Sequence, residues 1–137
     1  MQPRRIVRRL AAMQAVYWLA TGIWPLLHMR SFQAVTGPKI DGWLVRAVSA
    51  LIAVIGATIA LAARRDRIGA EMALLGGASA TALATVDVAG VAIGRISPVY
   101  LMDAAIELPI VVGWAWAWRA GALNGSGAPG RASTSNG

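Results

Sequence analysis

Residues 43–63 read WLVRAVSALIAVIGATIALAA, an apolar run with one charge, Arg46, that ends at Arg64-Arg65-Asp66-Arg67. An α-helix rises 1.5 Å per residue, so about 20 apolar residues cross the roughly 30 Å hydrocarbon core of a bilayer. The length of the run and the charges that end it therefore predict a transmembrane helix.

Three more runs of this length occur, and the predicted spans are residues 10–28, 43–63, 70–93 and 99–118. The link between the third and fourth spans is short, which predicts antiparallel neighbours. The sequence thus predicts an all-α membrane protein, a four-helix transmembrane bundle, as a single domain over residues 1–119. Residues 120–137 are rich in Gly, Ser and Ala, and are predicted to form a flexible cytoplasmic tail.

Composition supports a membrane protein and argues against a nucleic-acid partner. The chain is 57% hydrophobic and 14% charged, whereas soluble domains are about 25% charged. Its net charge of +7 does not form a nucleic-acid groove, because the arginines lie between or beside the apolar runs. Eight of the twelve arginines show this placement clearly: Arg4, Arg5, Arg8, Arg9, Arg64, Arg65, Arg67 and Arg119.

The distribution of arginines also predicts an orientation. Cytoplasmic segments carry the excess of Lys and Arg, and the N-terminal segment and the link between the second and third spans hold four and three arginines. Both termini are therefore expected on the cytoplasmic side (N-in/C-in), in the inner membrane of a bacterium. The lipid bilayer is the expected partner.

Charged groups inside the predicted spans are the candidate functional residues. Ionisable side chains are costly in a bilayer and usually face a protein interior or a water-filled cavity. The set is Arg46, Asp87, Asp103 and Glu107, and helix rise places all four in the outer half of the membrane. Asp103 and Glu107 are four residues apart and share a helix face, so a shared or tightly held proton is expected.

Aromatic residues and one histidine extend this set. Tyr17, Trp24 and His28 recur at helical spacing along the first span, and Tyr100 precedes Asp103 by three residues. They are candidates for lining a polar pocket open to the outer side. His28 is interpreted as an interfacial histidine. The alternative is a metal ligand, and this ranks second because a metal site would require carboxylate partners from other helices.

Small residues predict which helices pack together. Close approach of helices in lipid depends on such residues. The second span has Ser49, Ala53 and Gly56 on one face, and the third has Gly76, Ala80 and Ala84. We expect these two faces to meet each other.

Five segments carry a resemblance to a known group of proteins. They are residues 17–28 (YWLATGIWPLLH), 31–32 (SF), 36–39 (TGPK), 41–45 (DGWLV) and 96–103 (ISPVYLMD). In them the chain resembles small, uncharacterised four-span bacterial membrane proteins. The resemblance implies fold and location only, and assigns no catalytic residue.

Three functions are compatible with this pattern. The first is a structural or accessory protein whose intramembrane charges form an ion-pair network. The second is a binder or transporter of a small molecule or cation, for which a homo-oligomer would supply the pocket volume; the sequence does not identify the ligand. The third, an intramembrane enzyme, ranks last, because the chain has no Cys and no nucleophile, metal-ligand or phosphate-loop motif. Neither a metal nor a cofactor is predicted.

Overall fold

The computed structural model describes residues 2–125, which form five α-helices and no strand. The helices are α1 (Pro3–Leu27), α2 (Met29–Thr36), α3 (Gly42–Arg64), α4 (Ala70–Ala92) and α5 (Tyr100–Arg119). All except α2 are long and apolar enough to cross a membrane. The predicted all-helical, four-span architecture is confirmed, and it indicates an integral membrane protein.

The first helix begins seven residues earlier than predicted. Pro3 suits the first helical position, and the arginines that follow are good helix formers, so the helix need not stop where the apolar run stops. Its 25 residues extend about 37 Å, more than a hydrocarbon core requires. The chain thus has an arginine-rich end, at the start of α1 and the ends of α3 and α5, and an opposite end that carries α2, here called the α2 end.

The short helix α2 was not predicted. The backbone breaks at His28, whose φ of −145° is not helical, and the His28 Nδ1 atom accepts a hydrogen bond from the Ser31 backbone N–H at 3.2 Å. The Trp24 indole N–H donates to the Ser31 hydroxyl at 2.7 Å and its ring packs edge-on against Phe32. These contacts fold α2 back onto the end of α1.

The helices pack as two pairs, α1 with α3 and α4 with α5. Gly22 of α1 lies so close to α3 that a Cβ there would be 2.8 Å from the backbone nitrogen of Ala53 and the backbone oxygen of Ser49. The expectation that the second and third spans pack on each other is wrong, because α3 and α4 share few contacts. The small residues of α3 receive α1 instead.

The indole of Trp114 packs against the small residue Gly76 of α4. A Cβ on Gly76 would lie 2.8 Å from the Trp114 Nε1 atom of α5. Trp114 is almost completely buried, with 2% of the residue exposed. Glycine at this position makes room for a large side chain between α4 and α5.

The first residues of the predicted tail, 120–125, are among the described residues, and part of this segment is packed. Ala122 and Leu123 are buried, and the Asn124 backbone N–H donates to the Ile68 carbonyl at 2.8 Å. The chain after α5 therefore packs against the link between α3 and α4. Residues 126–137, the rest of the predicted tail, lie outside the described residues.

Candidate functional site

Three carboxyl groups meet between α4 and α5, near the α2 end, and form what we call the carboxyl cluster (Asp87, Asp103 and Glu107). Asp87 lies in the last turns of α4, and the other two occupy the first two turns of α5. Asp87 and Glu107 are only 6% and 1% exposed, and Asp103 is partly buried. The carboxyls of Asp87 and Asp103 lie close enough to each other to interact electrostatically.

Helix α1 supplies two hydrogen-bond donors to this cluster. The Tyr17 hydroxyl donates to Asp103 Oδ1. The Trp18 indole N–H donates to Glu107 Oε1 at 2.7 Å, with both side chains buried. These two bonds help to attach α1 to α5, two helices that share few backbone contacts.

Two carboxylate oxygens of the cluster lack such a donor. Oδ2 of Asp87 and Oε2 of Glu107 are buried and accept no hydrogen bond from any described residue. A buried acceptor without a partner is costly unless the group carries a proton or meets a bound species. The cluster thus has capacity for protons or for a hydrogen-bond donor.

A second polar contact lies one helical turn closer to the arginine-rich end. The Gln14 side-chain amide donates to the Gly76 carbonyl at 3.0 Å and its oxygen accepts from the Trp114 indole at 2.7 Å. One glutamine therefore bridges α1, α4 and α5. Together with Tyr17 and Trp18 it forms a polar seam along α1, and these three residues are hereafter called the polar seam.

Sequence reasoning named Tyr17 as a site residue but did not name Gln14, Trp18 or Trp114. A signal was available for Trp18, because its indole N–H lies in the middle of an apolar span and must find an acceptor there. No comparable signal existed for Trp114. Only the packing of α5 against Gly76 shows that its indole points inward.

Arg46 does not join the carboxyl cluster. Its side chain is exposed and forms no ion pair with any described residue. The reason is the helix pairing: α3 packs on α1, whereas the carboxyls are on α4 and α5. Among the described residues, the carboxyl cluster therefore receives its hydrogen bonds from Tyr17 and Trp18 and has no ion pair with Arg46.

Tyr100 and the α1–α2 corner lie beside the cluster, at the α2 end. The Lys39 ammonium sits 4.7 Å from the centre of the Tyr100 ring and donates to the Thr36 carbonyl at 3.0 Å. Tyr100 thus supports the link between α2 and α3. His28 and Trp24 are engaged with Ser31 of α2, as described above, and His28 is exposed.

The geometry offers no evident metal centre. Within residues 2–125, no group of three or more His, Asp or Glu side chains is arranged to hold a metal ion. The carboxyl cluster can form hydrogen bonds, bind protons or contact an organic cation.

Comparison with known proteins adds no relative from which a role could be transferred. No protein-family model, no curated protein and no solved structure matches this chain at a significant level.

Proposed function

We propose that the protein is a small accessory membrane protein whose carboxyl cluster and polar seam hold two helix pairs in register. The observation that carries this proposal is the buried bond from Trp18 to Glu107 at 2.7 Å. It joins the α1–α3 pair to the α4–α5 pair where apolar contact between the pairs is limited. In lipid, hydrogen bonds between helices take over part of the role that hydrophobic burial has in water.

In this proposal the carboxyl cluster is stabilised by protons and hydrogen bonds. Three negative charges without a cationic partner would be very costly in a bilayer. Asp87 and Asp103 can instead share a proton, because one protonated carboxyl donates to the other. Tyr17 and Trp18 then satisfy acceptors on Asp103 and Glu107. This arrangement takes the place of the ion pairs first expected with Arg46.

The proposal places the protein in the bacterial cytoplasmic membrane with both termini inside. The distribution of arginines supports this orientation, and the resemblance to small four-span bacterial proteins supports the location. Large apolar side chains of α3 stay exposed, for example Leu51 and Val54 at 64% and 63%. Such a face suits lipid or a second copy of the chain, which supports a homo-oligomer as the accessory form.

A second candidate function is binding of a cation or of transported protons from the outer side. The unpartnered oxygens of Asp87 and Glu107 favour it, since each can accept a hydrogen bond from a bound donor. A lipophilic cation could also find the aromatic ring of Tyr17 beside the carboxyls. The ligand is thus expected to carry an N–H group or a positive charge.

One set of variants at Glu107 separates the two functions. Glu107→Gln keeps an oxygen that can accept from Trp18, whereas Glu107→Leu removes it and leaves a buried indole N–H unpaired. If the role is structural, we expect the glutamine variant to retain the thermal stability of the parent protein in detergent and the leucine variant to lose it. Glu71→Gln, an exposed acid at the arginine-rich end, is the matched control and should change nothing.

A thermal-shift screen of lipophilic cations on the same proteins tests the second function. A cation that stabilises the parent protein but not a folded Glu107→Gln variant would favour binding over the accessory role. Equal stability of Glu107→Leu and the parent protein would refute the structural proposal directly.

A further inference from the structure

A groove between α1 and α3 opens at the arginine-rich end, far from the carboxyl cluster. Its volume is about 430 Å³, within the range of small-molecule sites. Arg8 and Arg9 of α1 and Arg64 of α3 stand at its mouth, and alanines such as Ala12 and Ala60 form its walls. The groove exists because these small side chains leave space where larger ones would fill the helix–helix contact.

The three arginines at the mouth are uncompensated. Their side chains are exposed and make no ion pair or hydrogen bond with any described residue. No acidic side chain lines the groove. Three guanidinium groups that line one opening favour an anion, and their planar donor geometry fits a phosphate.

Below the mouth the groove is apolar and faces lipid. It continues along α1 past Val16, which is 68% exposed, to Leu19. Arg9 and Leu19 are ten residues apart, a helical rise of about 15 Å. That is half of a hydrocarbon core of roughly 30 Å, or the depth of one leaflet. The site therefore combines a cationic mouth at headgroup level with an apolar channel. The length of the channel matches the thickness of one leaflet, so an acyl chain can lie in it.

We infer that this groove binds one anionic phospholipid, with the phosphate held by Arg8, Arg9 and Arg64 and an acyl chain lying along the alanine walls. Basic pockets between transmembrane helices are a recognised setting for anionic headgroups. A zwitterionic lipid would bring a second, positive group to a mouth that is already cationic. The site thus discriminates by headgroup charge, and it does not depend on the role proposed for the carboxyl cluster.

The probe is phosphatidylglycerol added to the detergent-purified full chain, with phosphatidylcholine of the same acyl chains for comparison. Native mass spectrometry counts bound lipids across a titration. We expect one saturable phosphatidylglycerol per chain and clearly weaker binding of phosphatidylcholine. Binding without saturation, or equal binding of the two lipids, would overturn the inference.

Two double variants distinguish lipid binding in the groove from general electrostatic attraction between arginines and anionic lipid. The double variant Arg9→Gln/Arg64→Gln removes two charges from the mouth, and Arg65→Gln/Arg67→Gln removes two exposed charges at the same end but outside the groove. Near a membrane surface each arginine contributes about fivefold to binding of anionic lipid, so we expect the first variant to bind about 25-fold more weakly. The second should bind as the parent does. Equal losses in both would show diffuse attraction and refute the site.

The acyl channel has its own test. Ala12→Leu fills the groove from an exposed position without changing charge, and should weaken phosphatidylglycerol binding while thermal stability without lipid is kept. Unchanged binding would contradict the channel. Glycerol phosphate, which has the headgroup charge but no chains, should neither compete nor stabilise. Competition at similar concentration would mean that the mouth is a simple phosphate site.

Discussion

Replacing Trp18 with Phe and Glu107 with Leu, singly and together, measures how strongly α1 is coupled to α5. The two side chains share a buried 2.7 Å hydrogen bond and are 1% exposed. Each single replacement leaves a buried donor or acceptor unpaired, which costs about 1–3 kcal/mol. The double replacement removes both partners, so its cost should be smaller than the sum of the two.

The difference between that sum and the double variant is the coupling energy. Hydrogen bonds between membrane helices average about 0.6 kcal/mol in such cycles and reach about 1.7 kcal/mol. We expect the upper part of this range, because among described residues Oε1 of Glu107 accepts only from Trp18 and Oε2 accepts from none. The cycle also cancels the packing loss caused by the smaller Phe ring.

Equilibrium unfolding in mixed micelles, with increasing sodium dodecyl sulfate, gives the four free energies. Trp118 provides a matched control, since it is 55% exposed on the same helix as Glu107, and Trp118→Phe combined with Glu107→Leu should be additive. A coupling below about 0.3 kcal/mol for the Trp18 pair, the usual limit of additivity, would refute the argument that this bond holds the helix pairs together.

Three further outcomes follow from the packing and the charges. Gly22→Ala places a Cβ 2.8 Å from backbone atoms of α3 and should lower the unfolding free energy by about 1–3 kcal/mol. The control Gly42→Ala adds a Cβ in open space and should not lower it. Similar free energies for both variants would contradict the close α1–α3 contact. Arg46→Gln should leave stability in the same assay within about 0.5 kcal/mol, and a larger loss would restore Arg46 to an ion-pair network. Ser97→Cys, in a chain without native cysteine, should react with a membrane-impermeant maleimide added to intact cells, and labelling only after lysis would reverse the proposed orientation.

Several features of this protein were determined by the sequence alone. The number of spans follows from the lengths of the apolar runs, because a bilayer of fixed thickness imposes a minimum helix length. The candidate acids Asp87, Asp103 and Glu107 could also be identified in advance, since charges within a span are rare and conspicuous. The spacing of Asp103 and Glu107 correctly placed both on one face of α5.

Only the tertiary structure decided which helices pair and which polar groups meet. Small residues mark a helix face that allows close approach of another helix. Ser49 and Ala53 would permit packing with either α1 or α4, so their spacing alone could not identify the helix that packs there. That choice separates Arg46 from the carboxyls and brings Trp18 to Glu107. Helical periodicity assigns a side chain to a face of its own helix, whereas hydrogen bonds between helices depend on relative rotation and depth, which no local pattern encodes.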